Sequence, residues 1–252
     1  MQPVVEASGT AAASAKPSET SPLLKQKLSK ATLEDVKPMR FRDLARAMNV
    51  ASKAFVNDSL AKYFDSSDTW PLAKFRIWLI KLFSFAGSVY QKRMLTVHGD
   101  AFLIYSTPQV NKPLRIVHML ISMANFFRAA ELVRRRDEFG TAVQAQVQDA
   151  FGARAAEMYE IQGLATAPKA QGRGYGKALV KTITDMADAE GRDVWVITSD
   201  ARPFYELQGF SVVRTAFIGA NNPAWNRAPV VVSIMARPAK KSHETSLEKE
   251  TV

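Results

Sequence analysis

Residues 170–180 read AQGRGYGKALV, with glycines at 172, 174 and 176, a lysine at 177 and an apolar run behind them. Glycine takes positive φ without steric cost and lets another molecule approach the backbone, so alternating glycines between a strand and a helix build a cradle of outward N–H groups. A helix starting behind the cradle adds unpaired first-turn N–H groups and the positive end of its dipole. The chemistry suited to such a segment is the holding of a phosphate. Two common phosphate motifs fail on spacing. A Walker A loop would need glycine at Gln171 and serine or threonine at Ala178, and a G-x-G-x-x-G fingerprint would need glycine at Lys177 or Leu179.

The pattern that does match is Q/R-x-x-G-x-G/A, on Gln171, Gly174 and Gly176, with LATAP (164–168) before it. Downstream, RPFYELQGF (202–210) carries an aromatic-Tyr-x-x-x-Gly-Phe segment after a buried strand. Here the chain resembles the GCN5-related N-acetyltransferase (GNAT) superfamily, whose members bind acetyl-CoA through the glycine turn. The two signatures span residues 157–218, and 34–56 also looks like the family's start. The helices at 71–91 and 113–152 have no clear counterpart.

The resemblance implies an acetyl-CoA-dependent N-acetyltransferase that transfers acetyl directly to a primary amine in a ternary complex. It implies that the backbone amides of Gln171, Gly172, Arg173, Gly174, Tyr175, Gly176 and Lys177 hold the CoA diphosphate. Leu164, Ala165 and Thr166 match the strand that bonds the pantetheine arm and presents the acetyl carbonyl to a backbone N–H. Arg173 and Lys177 either add charge toward the phosphates or are ordinary solvated side chains. Tyr205 aligns with the family's general-acid tyrosine. A model thiol has a pKa of about 8.5 and tyrosine one of about 10, so a tyrosine beside the leaving sulfur is neutral at pH 7 and can donate. The other reading of Tyr205 is a helix tyrosine packed beneath the sheet.

Glu160 falls where the family's histone-modifying members carry a carboxylate base, and simple alternation puts it on one strand face with Gln162, Leu164 and Thr166. It is a candidate base, or a half-exposed strand glutamate. His98 and His118 are lone histidines, read as structural. Ser199 can bond the pantetheine or, with Asp200, cap the next helix. Asn222 and Trp225 are placed to line an acceptor pocket, since loops supply specificity.

Positioning these residues takes an α/β domain with a mixed, mostly antiparallel central sheet flanked by helices, GNAT-like with extra helical insertions. LEDVKPMRF reads as a first strand, and Asp43 as the cap of a helix through Leu44, Ala47, Met48, Ala51 and Phe55. A short helix follows over Ser59 to Phe64. Pro71 opens a helix with a wide apolar stripe, and KRMLTVHGDAFLIYST (92–107) is a hairpin about Gly99-Asp100. Pro113 opens a long helical stretch through Leu132, with a second near 141–152. Residues 157–166 are a strand, 176–190 a helix and 193–199 a strand buried on both faces. Two strands close the domain after RPFYELQGF.

Composition sets the frame. Of 252 residues, 47% are hydrophobic, enough for an ordinary core. The formal balance is 34 − 24 = +10, with pI near 9.8, which suits an anionic partner. Basic residues are dispersed, the densest run being Arg134-Arg135-Arg136, which argues against nucleic acid. The absence of cysteine excludes disulfides, thiolate metal sites and a cysteine nucleophile, and three histidines offer no metal-ligand spacing. A cytoplasmic home is expected, with the nucleus as the alternative, and no membrane span. Residues 1–31 and 238–252 read as disordered tails around a domain at 32–237. The added helices narrow the acceptor side and favour a small amine. The alternatives are a non-catalytic CoA-binding module and a histone-type protein lysine acetyltransferase.

Overall fold

In the computed structural model, residues 31–108, 114–124 and 129–240 are described. The expected tails before residue 31 and after residue 240, together with Pro113, lie outside them. Seven strands form one sheet in the order β1-β2-β3-β4-β5-β7-β6. They are β1 (Val36–Pro38), β2 (Met94–Val97), β3 (Ala101–Ser106), β4 (Tyr159–Thr166), β5 (Val194–Thr198), β6 (Ser211–Ile218) and β7 (Val230–Arg237). Every neighbouring pair is antiparallel except β4 and β5. The mixed, mostly antiparallel sheet expected from the sequence is therefore the one found.

The helices are α1 (Leu44–Ala54), α2 (Ser59–Asp65), α3 (Ala73–Tyr90), α4 (Arg115–Ala124), α5 (Ala130–Phe151), α6 (Tyr175–Ala189) and α7 (Arg202–Glu206). In α6, Tyr175, Ala178, Leu179, Ile183 and Ala187 recur at three and four and are all buried. That spacing puts them on one stripe against the sheet. Leu179 and Ile183 are fully enclosed, each contributing about 1.5–3 kcal/mol by leaving water. The other face is covered by α1, α3 and α5. Phe85 of α3 meets Phe102 of β3 edge to face at 5.1 Å, and Phe151 at the end of α5 lies 5.8 Å from Trp195 of β5.

Three local expectations need correction. LEDVKPMRF forms only the three-residue β1, between 3-10 turns at Leu33–Asp35 and Phe41–Asp43. Pro38 has no N–H to donate and is the last residue of this edge strand. Asp43 precedes α1 but makes no side-chain cap bond, because it is itself the last residue of the 3-10 turn and already has helical backbone. The helical insertion is divided before residue 130, and α5 then continues unbroken for 22 residues to Phe151. The polar run Arg134–Glu138 lies within α5, where Arg135 and Glu138 bond other segments. Sequence polarity there marks partners, not a break.

Candidate active site

The parallel pairing of β4 with β5 covers Tyr159–Ile161 and Val194–Val196 and goes no further. β4 continues on β3 to Thr166, while β5 continues on β7 to Thr198. The two strands thus part in the middle of the sheet, leaving the facing edges of both backbones without a ladder partner. The opening is a cleft of about 510 Å³. Its walls are Ile161–Thr166 on one side and Val196–Ala201 with Tyr205 on the other, and Phe55, Asp58 and Leu60 close one end.

A β-bulge shapes the β4 wall. Tyr105 pairs with Ile161 and Ile104 with Gly163, so Gln162 is an extra residue on β4. An extra residue inverts the side-chain alternation beyond it. Glu160 consequently shares a face with Gly163 and Ala165, and not with Leu164 and Thr166 as simple alternation predicts. Its carboxylate accepts from the Ser106 hydroxyl at 3.1 Å and the Gln162 amide at 3.0 Å. Glu160 is not among the residues lining the cleft.

The glycine turn stands against the cleft at the start of α6. Gly172 and Gly174 have φ of +76° and +79°, a region that costs an L-residue about 1–2 kcal/mol. Gly176 is helical, and a Cβ there would sit 3.3 Å from Phe204 and 3.8 Å from Leu164, so bare backbone is what lets α6 approach the cleft wall. Gly174 caps α6 with no side-chain acceptor. None of the six N–H groups from Gly172 to Lys177 donates to a described residue. The Arg173 carbonyl accepts from the Ala31 N–H at 3.0 Å, which pins the turn from behind. Arg173 is half-buried and Lys177 exposed, while the Tyr175 ring is buried and edge-on to His98 at 5.7 Å.

Tyr205 is buried between Phe204 and Phe210, with ring centroids 5.1 and 5.5 Å away. Its hydroxyl bonds no described residue, and burial pushes its pKa well above the ordinary tyrosine range. The group is therefore a neutral O–H held at a cleft wall. Leu164, Ala165, Thr166, Gln171 and Ser199 also line that cleft.

The cleft contains two carboxylates that sequence reasoning did not single out as functional. Asp58, in the turn between α1 and α2, accepts from the Ala61 N–H at 2.7 Å and from the Ser199 hydroxyl at 2.8 Å. Asp200 accepts from the Ser59 N–H at 2.7 Å. Neither Ser199 nor Asp200 caps α7, whose entry is bonded by the Thr198 hydroxyl instead. Asp58 is the N-cap of α2, a local signal in NDSL (57–60) that sequence can show. Its position across the chain from β5 is not local.

Beside this end lies the loop between β6 and β7. Asn222 is buried and donates to the Tyr63 hydroxyl at 3.1 Å and to Glu131 at 2.8 Å. Arg135 donates to the Tyr63 carbonyl, to Ser66 and to the Ala224 carbonyl, with its guanidinium 4.5 Å from the centre of the Tyr63 ring. Asn222 is thus a structural node and not a pocket wall. Trp225 lines a shallow depression that shares Ser199 and Asp200 with the cleft. His98 is on the hairpin turn 3.3 Å from Asp35, and His118 is exposed on α4.

Comparison with known proteins agrees with this geometry. The family model described as the acetyltransferase (GNAT) domain matches residues 127–212. No curated protein matches the sequence. Among solved structures, arylalkylamine N-acetyltransferase 2 from Aedes aegypti is similar over 81% of this chain and 98% of its own, with 10% identity and a TM-score of 0.56. A putative arylalkylamine N-acetyltransferase 7 from the same mosquito covers 81% and 87%, at 13% identity and TM-score 0.58. The polyamine N-acetyltransferase of Drosophila melanogaster covers 81% and 98%, at 13% identity and TM-score 0.52. At such identities the likeness is one of fold.

Proposed function

Since the chain carries a GNAT acetyltransferase domain, we propose that it is an acetyl-CoA-dependent N-acetyltransferase whose acceptor is a small primary amine. The observation that carries this reading is the run of six N–H groups from Gly172 to Lys177 that bond no described residue, set on two positive-φ glycines against the cleft. Such a run is a built anion cradle, and the positive end of the α6 dipole adds to it. The residues present fit a CoA diphosphate there, with the free edge of Gly163–Thr166 available to an extended amide arm. Acetyl-CoA would supply an activated acyl thioester, whose acyl carbon takes the amine nitrogen as the sulfur leaves and is protonated.

The chain's own groups account for the protons. An amine arrives at neutral pH as an ammonium and must lose a proton before its nitrogen can attack. Asp58 is the acceptor we assign, because it lines the cleft and is oriented by Ser199. Glu160, turned to the other face by the bulge, is then a structural glutamate of β4. Tyr205 holds a proton on a neutral hydroxyl at the cleft wall and can donate it as a hydrogen bond to the sulfur as charge develops there. Asp58 and Asp200 together make the acceptor end acidic, which suits a cationic amine. Two of the similar structures are enzymes named for arylalkylamines and polyamines.

The test is calorimetric titration of acetyl-CoA into the wild type and a Gly174→Glu variant, followed by thiol release with a panel of amines. Binding that the folded variant loses, with turnover on at least one amine, is the expected result. No binding by the wild type overturns the reading. Binding without turnover on any amine turns it into that of a non-catalytic CoA-binding module.

A further inference from the structure

The insertion helices α3 and α4 have no role in the cleft, and their surface is unusual. Val117, near the start of α4, packs on Gly87, near the end of α3, where a Cβ would come within 3.1 Å of it. The two helices are in close contact there. Measured from that contact at about 100° per residue, Phe75 and Leu79 of α3, with Leu72 just before it, and Ile116, Met119 and Met123 of α4 each fall on one side of their own helix, turned away from the shared contact. Leu72, Phe75, Ile116, Met119 and Met123 are between 49% and 64% exposed. No residue of α4 is buried at all. Single exposed apolar side chains are ordinary, but a two-helix stripe of large ones marks a docking surface.

Charge identifies what it docks on. Between Asp68 and Glu131 the sequence has one carboxylate, Asp100, against eight lysines and arginines. Asp100 is already bound by Arg46 and lies 3.6 Å from Lys169. α3 and α4 themselves carry Lys74, Arg76, Lys81 and Arg115 and no acid, though Arg76 is buried in an ion pair with Asp68 and Lys81 stands near Asp65. The tryptophans Trp70 and Trp78, both over a third exposed, stand at the protruding end of α3. Apolar stripe, aromatic margin and an excess of basic over acidic residues together are the features of helices that lie in a membrane interface. A second copy of the chain would instead bring together two surfaces with the same basic excess.

We propose that the α3–α4 face docks on anionic lipid bilayers, lying in the interface without spanning it. Among the described residues no helix is long and apolar enough to cross a membrane. The proposal does not depend on the acetyltransferase reading.

The experiment is flotation of the full chain with vesicles of phosphatidylcholine alone or with about a third phosphatidylserine. The wild type is expected to partition at least about tenfold better onto the anionic vesicles. The double variant Phe75→Glu/Met119→Glu should lose more than about tenfold of that partition. Both positions are exposed, so its thermal unfolding should match the wild type. Ile116→Ser/Met123→Ser gives an independent second variant should the first unfold. Absence of flotation, or flotation undiminished in a folded variant, overturns the proposal. So does a self-association seen by sedimentation that the double variant abolishes, which would assign the face to a second copy of the chain.

Discussion

Replacing Tyr205 by phenylalanine should move stability and activity in opposite directions. The Tyr205 ring is held by Phe204 and Phe210, and phenylalanine keeps every one of those contacts. The hydroxyl has no described hydrogen-bond partner, so its removal leaves no donor or acceptor stranded. A buried polar group lacking a partner costs about 1–3 kcal/mol, part of which the cleft returns through solvent, so Tyr205→Phe is expected to be neutral or stabilising by about 1 kcal/mol. In a domain of this size that is an unchanged Tm or a rise of about 2–4 °C. The same hydroxyl, acting as the acid, is worth about 10²–10⁴ in rate. Thiol release at saturating acetyl-CoA should therefore show kcat down by at least about a hundredfold, with acetyl-CoA affinity retained in calorimetry. Unchanged turnover would refute the acid role and leave Tyr205 a packing residue. A Tm several degrees lower would refute the account of its surroundings.

Asp58→Asn keeps an N-cap for α2, since asparagine caps as well as aspartate, so stability should hold while amine turnover falls; equal turnover in a steady-state assay would remove Asp58 as base. Gly172→Ala meets no atom within 4 Å but sits at φ +76°, so it should cost about 1–2 kcal/mol of stability, read in denaturant melts, and weaken acetyl-CoA binding. Asp188 accepts from both terminal nitrogens of Arg237, at 2.9 and 2.7 Å, and that pair holds its carboxyl below the usual range. A depressed folded pKa contributes stability that is present above about pH 4 and lost as pH falls through the folded value. Asp188→Asn should then lower stability at pH 7 by about 1.5–3 kcal/mol and flatten the acid limb of a pH-stability curve.

The placement of the glycine turn at the start of α6 and of Tyr205 in the helix after β5 was legible because those signals are local. Positive φ at 172 and 174, a strand before and a helix after, can be read in a dozen contiguous residues. Glu160 was misplaced for the opposite reason. Its face is set by a bulge at Gln162, and that bulge exists only because β3 pairs with β4 in two registers on either side of Ile104 and Tyr105. Nothing in EIQGL (160–164) announces which neighbour will skip a residue. Asp58 was missed since it reaches the cleft from 141 residues away, through its bond to Ser199. The undivided α5 was obscured by charges at 134–138, two of which face other segments rather than water.

The clamp on the loop between β6 and β7 bears on selectivity. Arg135, Tyr63, Glu131 and Asn222 bind that loop to α2 and α5 through buried polar groups, and Glu138 holds the Gly219 N–H at 2.7 Å. A wall fixed in this way does not close over its guest. The entropy of ordering it is taken up when the chain folds, so under the proposed reaction a matching amine would not have to offset that cost, while a mismatched one could not recruit the loop to fit it.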